Sequence, residues 1–294
     1  MQPKDTFFSK KLTINCHGVI IDLSVPKVMG ILNVTPDSFY DGGKYAKEEE
    51  ILNRINLLTT EGADIIDVGA YSSRPGAKEI STGEEISRLD IALKLIRNNF
   101  KDVLISVDTF RSEVARWSVE NYEVDIINDI SAGDLDKNMF KTIADLQVPY
   151  IMMHMKGTPE NMQNKPDYKN VVQEIMMYFS EKLNQLSLLG VNDLIIDPGF
   201  GFGKTIEHNY QLLKHLEDFK WFNLPVLAGV SRKSMIYKFL GSNPDESLNG
   251  TTILNTVALL NGADILRVHD VKQAKEAVHL VQKLNESNIK NWYE

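Results

Sequence analysis

Short β-branched runs separated by longer amphipathic stretches recur along this chain, and that alternation limits its possible folds more than any other feature. The runs fall at 28–32, 65–68, 103–107, 125–127, 150–153, 194–196, 226–228 and 265–268. Each has the length and residue types of a strand. Between two of them, residues 84–98 set Ile86, Leu89, Leu93 and Ile96 at spacings of three and four, which makes one helical face apolar. Thr82 followed by Glu85 fits a capping box for that helix. The helix-to-strand joints also repeat. Gly62 before Ile65, Gly190 before Leu194 and Gly262 before Ile265 put glycine where a helix C-terminus needs left-handed backbone. Eight such units in series predict an α/β fold, a (β/α)8 TIM barrel filling residues 1–294 as a single domain. A doubly wound open sheet would give the same local alternation. Ahead of the units, residues 12–24 read as an N-terminal β-hairpin turning at His17-Gly18.

Composition narrows the function classes. With 43% hydrophobic residues in 294, the chain can bury a substantial core, and no Pro/Gly/Ser-rich stretch reads as a linker. A formal net charge of -8 argues against a nucleic-acid or anionic-membrane surface, so an anion must bind at a local cluster of cations. The one cysteine, Cys16, cannot form an intramolecular disulfide, and no apolar run follows the basic N-terminus. Both point to a reducing cytoplasm. No apolar stretch approaches the roughly 20 residues that span a bilayer, which predicts a soluble protein.

In a barrel the site lies at the C-terminal ends of the strands. Here those ends are polar: Asn33, Asp108, Asn128, His154, Asp197 and His269 follow or adjoin successive runs. Any one of them could simply cap the next helix. Capping, however, does not require so many carboxylates and carboxamides on buried strand ends. Asp108, Asn128 and Asp197 offer acceptors, and Asn128 adds donors, a set suited to the edge of a flat heterocycle. Three cationic elements accompany them: Arg74 within Ser72-Ser73-Arg74-Pro75-Gly76, Lys233 within Ser231-Arg232-Lys233, and Arg267-Val268-His269. Each could contact phosphate. A solvated surface role is open for Arg232, less so for Arg267, which interrupts an apolar strand.

The stretch from Asp197 to Thr205 resembles a nucleotide loop only superficially. A phosphate loop needs four residues between its first glycine and the Gly-Lys pair, and Pro198 stands at that first position. It reads instead as a strand-to-helix loop with Asp197 facing the site and Phe200 or Phe202 as an apolar wall, or as ordinary packing. Residues 33–46 and 70–83 form long loops of the kind that close over substrate. No His/Cys cluster has zinc spacing, whereas Mg2+ held through substrate phosphates and an oxygen ligand such as Asn33 is compatible. No nucleophile with an adjacent base stands out, and Cys16 reads as a packed thiol away from the strand ends. The expected reaction is therefore one without a covalent enzyme intermediate.

These motifs resemble the dihydropteroate synthase family. The matching stretches are Gly30 to Phe39, Ser73 to Ala77, Ser106 to Thr109, Ile127 to Ile130, His154 to Pro159, Asp197 to Lys204, Ser231 to Ser234 and Arg267 to Asp270, in family order. The resemblance implies a pterin-binding barrel that joins 6-hydroxymethyl-7,8-dihydropterin diphosphate to 4-aminobenzoate, releasing diphosphate. It implies Mg2+ as cofactor, a homodimer and a sulfonamide target. By matched position, Asp108, Asn128, Asp197 and Lys233 look like pterin contacts. Asn33, Arg74, Arg267 and His269 look like diphosphate and metal contacts, with Asn33 on the metal. Phe39, Pro75 and Ser231 would border the aminobenzoate, Ser73 and Phe202 would also bind substrate, and Lys233, Arg267, His269 and Arg74 would carry catalysis. Ser73 stands where many members have threonine, and Tyr40 where a smaller residue is common. A pterin-binding methyltransferase shares the carboxylates but gives no reason for the cationic loops. A non-catalytic pterin-binding module is opposed by the intact motifs.

Overall fold

Eight parallel strands make up the main sheet: β3 (Lys27–Asn33), β4 (Ile65–Gly69), β5 (Leu104–Asp108), β6 (Ile126–Asp129), β7 (Tyr150–Met153), β8 (Leu194–Asp197), β9 (Leu227–Ala228) and β10 (Ile265–Val268). The structure, a computed structural model, describes residues 11–35, 44–72, 79–159, 161–162 and 166–287. Phe39, Tyr40, Ser73, Arg74 and Pro75 lie outside them. The hydrogen-bonded order runs β8-β7-β6-β5-β4-β3-β10-β9. A parallel bridge between Ile196 and Val226, with the Ile196 amide donating to the Pro225 carbonyl at 3.0 Å, brings the two ends together. That contact distinguishes a nearly closed barrel from the doubly wound alternative. The closing strand β9 is two residues long, shorter than the apolar run suggests.

Nine α-helices, counted among the described residues, flank the strands: α1 (Lys44–Thr60), α2 (Thr82–Asn99), α3 (Ser112–Tyr122), α4 (Met139–Leu146), α5 (Val171–Leu188), α6 (Ile206–Lys214), α7 (Ser234–Leu240), α8 (Leu248–Leu260) and α9 (Val271–Glu286). None is long and apolar enough to cross a membrane. Gly62, Gly190 and Gly262 have φ of 90°, 76° and 93°, the left-handed turns expected at the helix-to-strand joints. The helix cap falls one residue earlier than expected, as a single side-chain bond. Ser81, not Thr82, caps α2 by accepting from the Glu84 amide, and Glu85 turns inward, taking bonds from Thr109 Oγ1 at 2.7 Å and Arg111 Nη1 at 2.6 Å.

Strand side chains alternate between two faces, and the two faces have different partners. Val28, Leu32, Ile66, Val68, Ile105, Val107 and Leu266 face outward and pack with Leu89, Leu93 and Ile96 of α2 and their counterparts on other helices. Met29, Ile65, Ile126, Ile151, Ile195, Leu227 and Ile265 face inward at the N-terminal end of the barrel. There they meet Ile14, Cys16 and Leu23 from a hairpin of β1 (Thr13–Cys16) and β2 (Val19–Asp22). His17 and Gly18, with φ of 50° and 87°, form its two-residue turn. The hairpin thus plugs the bottom of the barrel. Cys16 is buried in this plug, and burial pushes its thiol up to about 12, consistent with a packed, unreactive group.

Candidate active site

One step of two residues up five of the eight strands, the inward layer changes from apolar to polar. Asp67, Ser106, Asn128, Asp197 and Arg267 follow Ile65, Leu104, Ile126, Ile195 and Ile265 at the same face. Above them stand Asn33, Asp108 and His269. At the top, opposite the plugged end, a cavity of about 260 Å³ is lined by Asn33, Asp108, Asn128, Asp197, Phe202, Ser231, Lys233, Arg267 and His269. Every one of these was named from the sequence. Ile31, Thr35, Tyr71, Ser72, Ile130, Met153, Gly229 and Arg232 complete the lining. Phe39, Ser73, Arg74 and Pro75 lie outside the described residues. Phe200, the other candidate for an apolar wall, is buried in the core.

The floor is organised by a residue the sequence reading passed over. Asp67, fully buried, accepts from Arg267 Nε at 2.6 Å and Asn128 Nδ2 at 3.2 Å on one oxygen, and from Ser106 Oγ at 2.6 Å on the other. Its signal was present: a carboxylate interrupts the apolar run 65–68 as Arg267 interrupts its own. Arg267 also donates through Nη2 to Asp108 at 2.7 Å. Burial works against the Arg267 charge, but Asp67 and Asp108 more than offset it and raise its pKa. Burial lifts the Asp108 carboxyl to about 7, Arg267 opposing and Asp67 adding to the rise. One amide hydrogen of Asn128 and two edges of Arg267 are thus committed within the protein, leaving the outward faces of these groups for a ligand.

On the opposite wall, Asp197 accepts from the Gly199 amide at 2.8 Å, and burial raises its pKa while Lys233 opposes. The Lys233 ammonium donates to the Phe200 carbonyl and lies 4.8 Å from the centre of the Phe202 ring. Burial lowers it to about 8, with Asp197 pulling the other way. At the rim, Ser231 Oγ lies 3.1 Å from His269 Nδ1 and accepts from the His269 amide at 3.2 Å. Burial first, then Arg267 and Arg232, lower the His269 pKa to about 4, so the ring is neutral at pH 7. A Ser231 hydroxyl that donates its proton to Nδ1 would leave the Nε2–H of the neutral ring as a donor toward the cavity. Arg54 of α1, which no sequence pattern marks, holds the His269 carbonyl at 2.7 Å. Arg232 is paired with Asp270 at 2.6 and 3.0 Å rather than solvated alone.

The arrangement joins a pocket of buried carboxylates and one carboxamide to a cationic, proton-donating rim. A model of the family described as pterin binding enzyme matches residues 29–269. The chain belongs to the pterin-binding enzyme family. Within that family it is 44% identical over 268 residues to the dihydropteroate synthase of Escherichia coli, covering 90% of this chain and 94% of that one. Among solved structures, the Yersinia pestis dihydropteroate synthase in complex with a sulfonamide drug superimposes with a TM-score of 0.87 at 39% identity, covering 94% of this chain and all of the other (100%). The Xanthomonas albilineans enzyme with 4-aminobenzoic acid gives 0.87 at 37%, covering 94% and 99%. The same enzyme with 7,8-dihydropteroate gives 0.82 at 32%, covering 94% and 100%.

Proposed function

We propose that this protein is a transferase of folate synthesis, a dihydropteroate synthase that condenses 6-hydroxymethyl-7,8-dihydropterin diphosphate with 4-aminobenzoate to 7,8-dihydropteroate and diphosphate. The observation that carries this is the single cavity in which Asp108, Asn128, Asp197 and Lys233 adjoin Arg267 and His269. A flat heterocycle with an amidine-like edge fits the carboxylate side, and a diphosphate fits the cationic rim. A methyltransferase gives no use for that rim.

The carbon attached to the pterin ring loses diphosphate because the electron-rich ring stabilises the resulting cation. The C–O bond breaks with its electron pair leaving on the diphosphate. Arg267, the His269 Nε2–H and Arg74 stabilise that charge, and the neutral aromatic amine forms the new C–N bond and releases a proton. No covalent enzyme intermediate is required, and the proton can leave to solvent or to the departing diphosphate.

Mg2+ fits as a partner of the leaving group. Among the described residues, no group of three or more His, Cys, Asp or Glu could hold a metal ion, so a cation here depends on substrate oxygens. Asn33 supplies a neutral, hard oxygen at the rim, where a side chain at Gly69 would come within 3.3 Å of its Oδ1. When bound, Mg2+ would neutralise part of the diphosphate charge. A homodimer is supported by apolar side chains left exposed on neighbouring helices: Phe239 and Leu240 of α7, Ile253 and Leu260 of α8, Leu280 and Leu284 of α9. The same reading makes residues 1–294 one catalytic domain working in the cytoplasm, and makes sulfonamides its inhibitors.

The test is incubation with the dihydropterin diphosphate and 4-aminobenzoate, with and without Mg2+, while diphosphate release is measured. Release that depends on all three components supports the proposal. Tight pterin binding without release would mark a binding module instead.

A further inference from the structure

The Gly203-Lys204-Thr205 stretch is neither a phosphate loop nor part of the cavity lining, yet its lysine is 4% exposed. A buried ammonium is costly unless its three protons are taken up. Lys204 Nζ lies 2.8 Å from the Gly199 carbonyl, 2.9 Å from the Phe202 carbonyl, 3.2 Å from the His154 carbonyl and 3.0 Å from His154 Nδ1. Among the described residues, no carboxylate forms an ion pair with it, and burial pushes its pKa well below that of a free lysine. Its nitrogen is held by backbone oxygens, two from the glycine-rich turn and one from His154. Gly199 has φ of 73°, and a side chain there would fall 2.0 Å from the His154 carbonyl oxygen. At Gly203, φ is 64° and the corresponding approach is 2.4 Å, to the Lys156 carbonyl. The turn is therefore pressed against the segment after β7; without Lys204 the Phe202 and His154 carbonyls would each lose a donor, while the Gly199 carbonyl would keep the Phe202 amide at 3.1 Å.

The same turn carries what aims two pocket side chains. The Gly199 amide fixes one oxygen of Asp197, the Phe200 carbonyl receives Lys233, and the Phe202 ring flanks the Lys233 ammonium. We infer that Lys204 is a positioning residue for the pterin pocket: by gathering the carbonyls of Gly199, Phe202 and His154 around one ammonium, it holds the turn in the shape that orients Asp197 and Lys233. This rests on the pterin reading of those two residues.

The test uses the full chain and equilibrium binding of 7,8-dihydropterin without a diphosphate, alongside steady-state kinetics. Lys204→Met keeps the bulk and removes the donors, and Lys204→Arg restores a cation. Leu23→Ala serves as a control, loosening the plug at the far end of the barrel. Lys204→Met weakens dihydropterin binding roughly tenfold or more, with a matching rise in KM for the diphosphate substrate. The KM for 4-aminobenzoate stays within about threefold, and Lys204→Arg recovers part of the loss. Leu23→Ala melts earlier but binds dihydropterin as the unaltered protein does. Unchanged binding by Lys204→Met overturns the inference, as does an equal loss in Leu23→Ala, which would make the effect one of general stability. If Lys204→Met fails to fold, Tyr168→Phe decides: it removes the 2.9 Å tether from the Tyr168 hydroxyl to the Gly203 carbonyl. Weaker dihydropterin binding with unchanged aminobenzoate KM supports the role of the turn, and unchanged binding overturns it. If the unaltered protein does not bind dihydropterin, the pterin reading fails and this inference with it.

Discussion

Asp67 on β4 holds Arg267 on β10 through a 2.6 Å bond to Nε, a contact between residues 200 positions apart in the chain. Through the same oxygen it reaches Asn128, so one buried carboxylate sets the orientation of a carboxamide and a guanidinium that both line the cavity. Replacing it by asparagine leaves Arg267 with Asp108 alone. Removing one partner of a buried ion pair costs about 3–5 kcal/mol, and a misplaced Arg267 lowers kcat/KM by roughly 100-fold. Urea denaturation and steady-state kinetics of Asp67→Asn measure both. Kinetics like those of the unaltered protein would mean that Asp108 suffices to hold Arg267.

Ser231 Oγ accepts from the His269 amide and lies 3.1 Å from Nδ1, where a donated hydroxyl proton would select the Nε2–H tautomer. Ser231→Ala removes that preference and lets the ring turn. The expected result is a fall in kcat of about tenfold, the scale of a weakened positioned donor, with little change in melting temperature. Nitrogen NMR of the imidazole gives a direct reading, since both tautomers should become populated in the variant. A single unchanged Nε2–H tautomer would count against the assignment.

Two pocket groups titrate near neutrality. Asp108 is a carboxylate above about 7, and Lys233 an ammonium below about 8. If binding needs both charges, kcat/KM follows a narrow bell, with an acid limb from Asp108 and an alkaline limb from Lys233. Lys233→Arg removes the alkaline limb because guanidinium does not titrate there, and Lys233→Ala impairs turnover at every pH. Stability responds with opposite signs. The raised Asp108 pKa contributes stability below 3.8 that is lost as pH rises through about 7. The lowered Lys233 pKa removes stability below about 8, regained toward 10.5 as the lysine becomes neutral in the unfolded chain too. A flat kcat/KM between pH 6 and 10 would exclude this scheme.

Leu23 is 1% exposed within the plug beneath the barrel. Leu23→Ala is expected to lower unfolding stability by about 2–5 kcal/mol while leaving kcat and both KM values at 25 °C unchanged, because the inward apolar layer separates it from the cavity. Thermal melts and kinetics on one preparation check this. A large change in KM would mean that the plug and the site are mechanically coupled.

The strand-end residues were legible because a strand exposes alternate residues to one face, so an apolar run that stops in Asn33, Asp108 or Asp197 already places that side chain at the open end of a barrel. The cap of α2 falls on Ser81 rather than Thr82, two chemically similar residues, and only the burial of Glu85 against Thr109 and Arg111 decides between them. Asp67 was overlooked since a single carboxylate inside a short apolar run carries no local sign of its partners. Arg54 and Lys204 act on carbonyls of His269, Gly199 and Phe202, and backbone carbonyls have no sequence signature at all.

By itself, then, the sequence determined the alternation of strands and helices, the end of the barrel that carries chemistry, and most of the side chains that line the cavity, because all of these follow from local periodicity. The tertiary structure decided the rest. Barrel closure through Ile196 and Val226, the hairpin seated under the inward layer, and the Asp67–Arg267–Asp108 linkage join residues remote in sequence. Their geometry, and the pKa displacements that burial imposes on Asp108, Lys233 and His269, exist only once the sheet curls and excludes water.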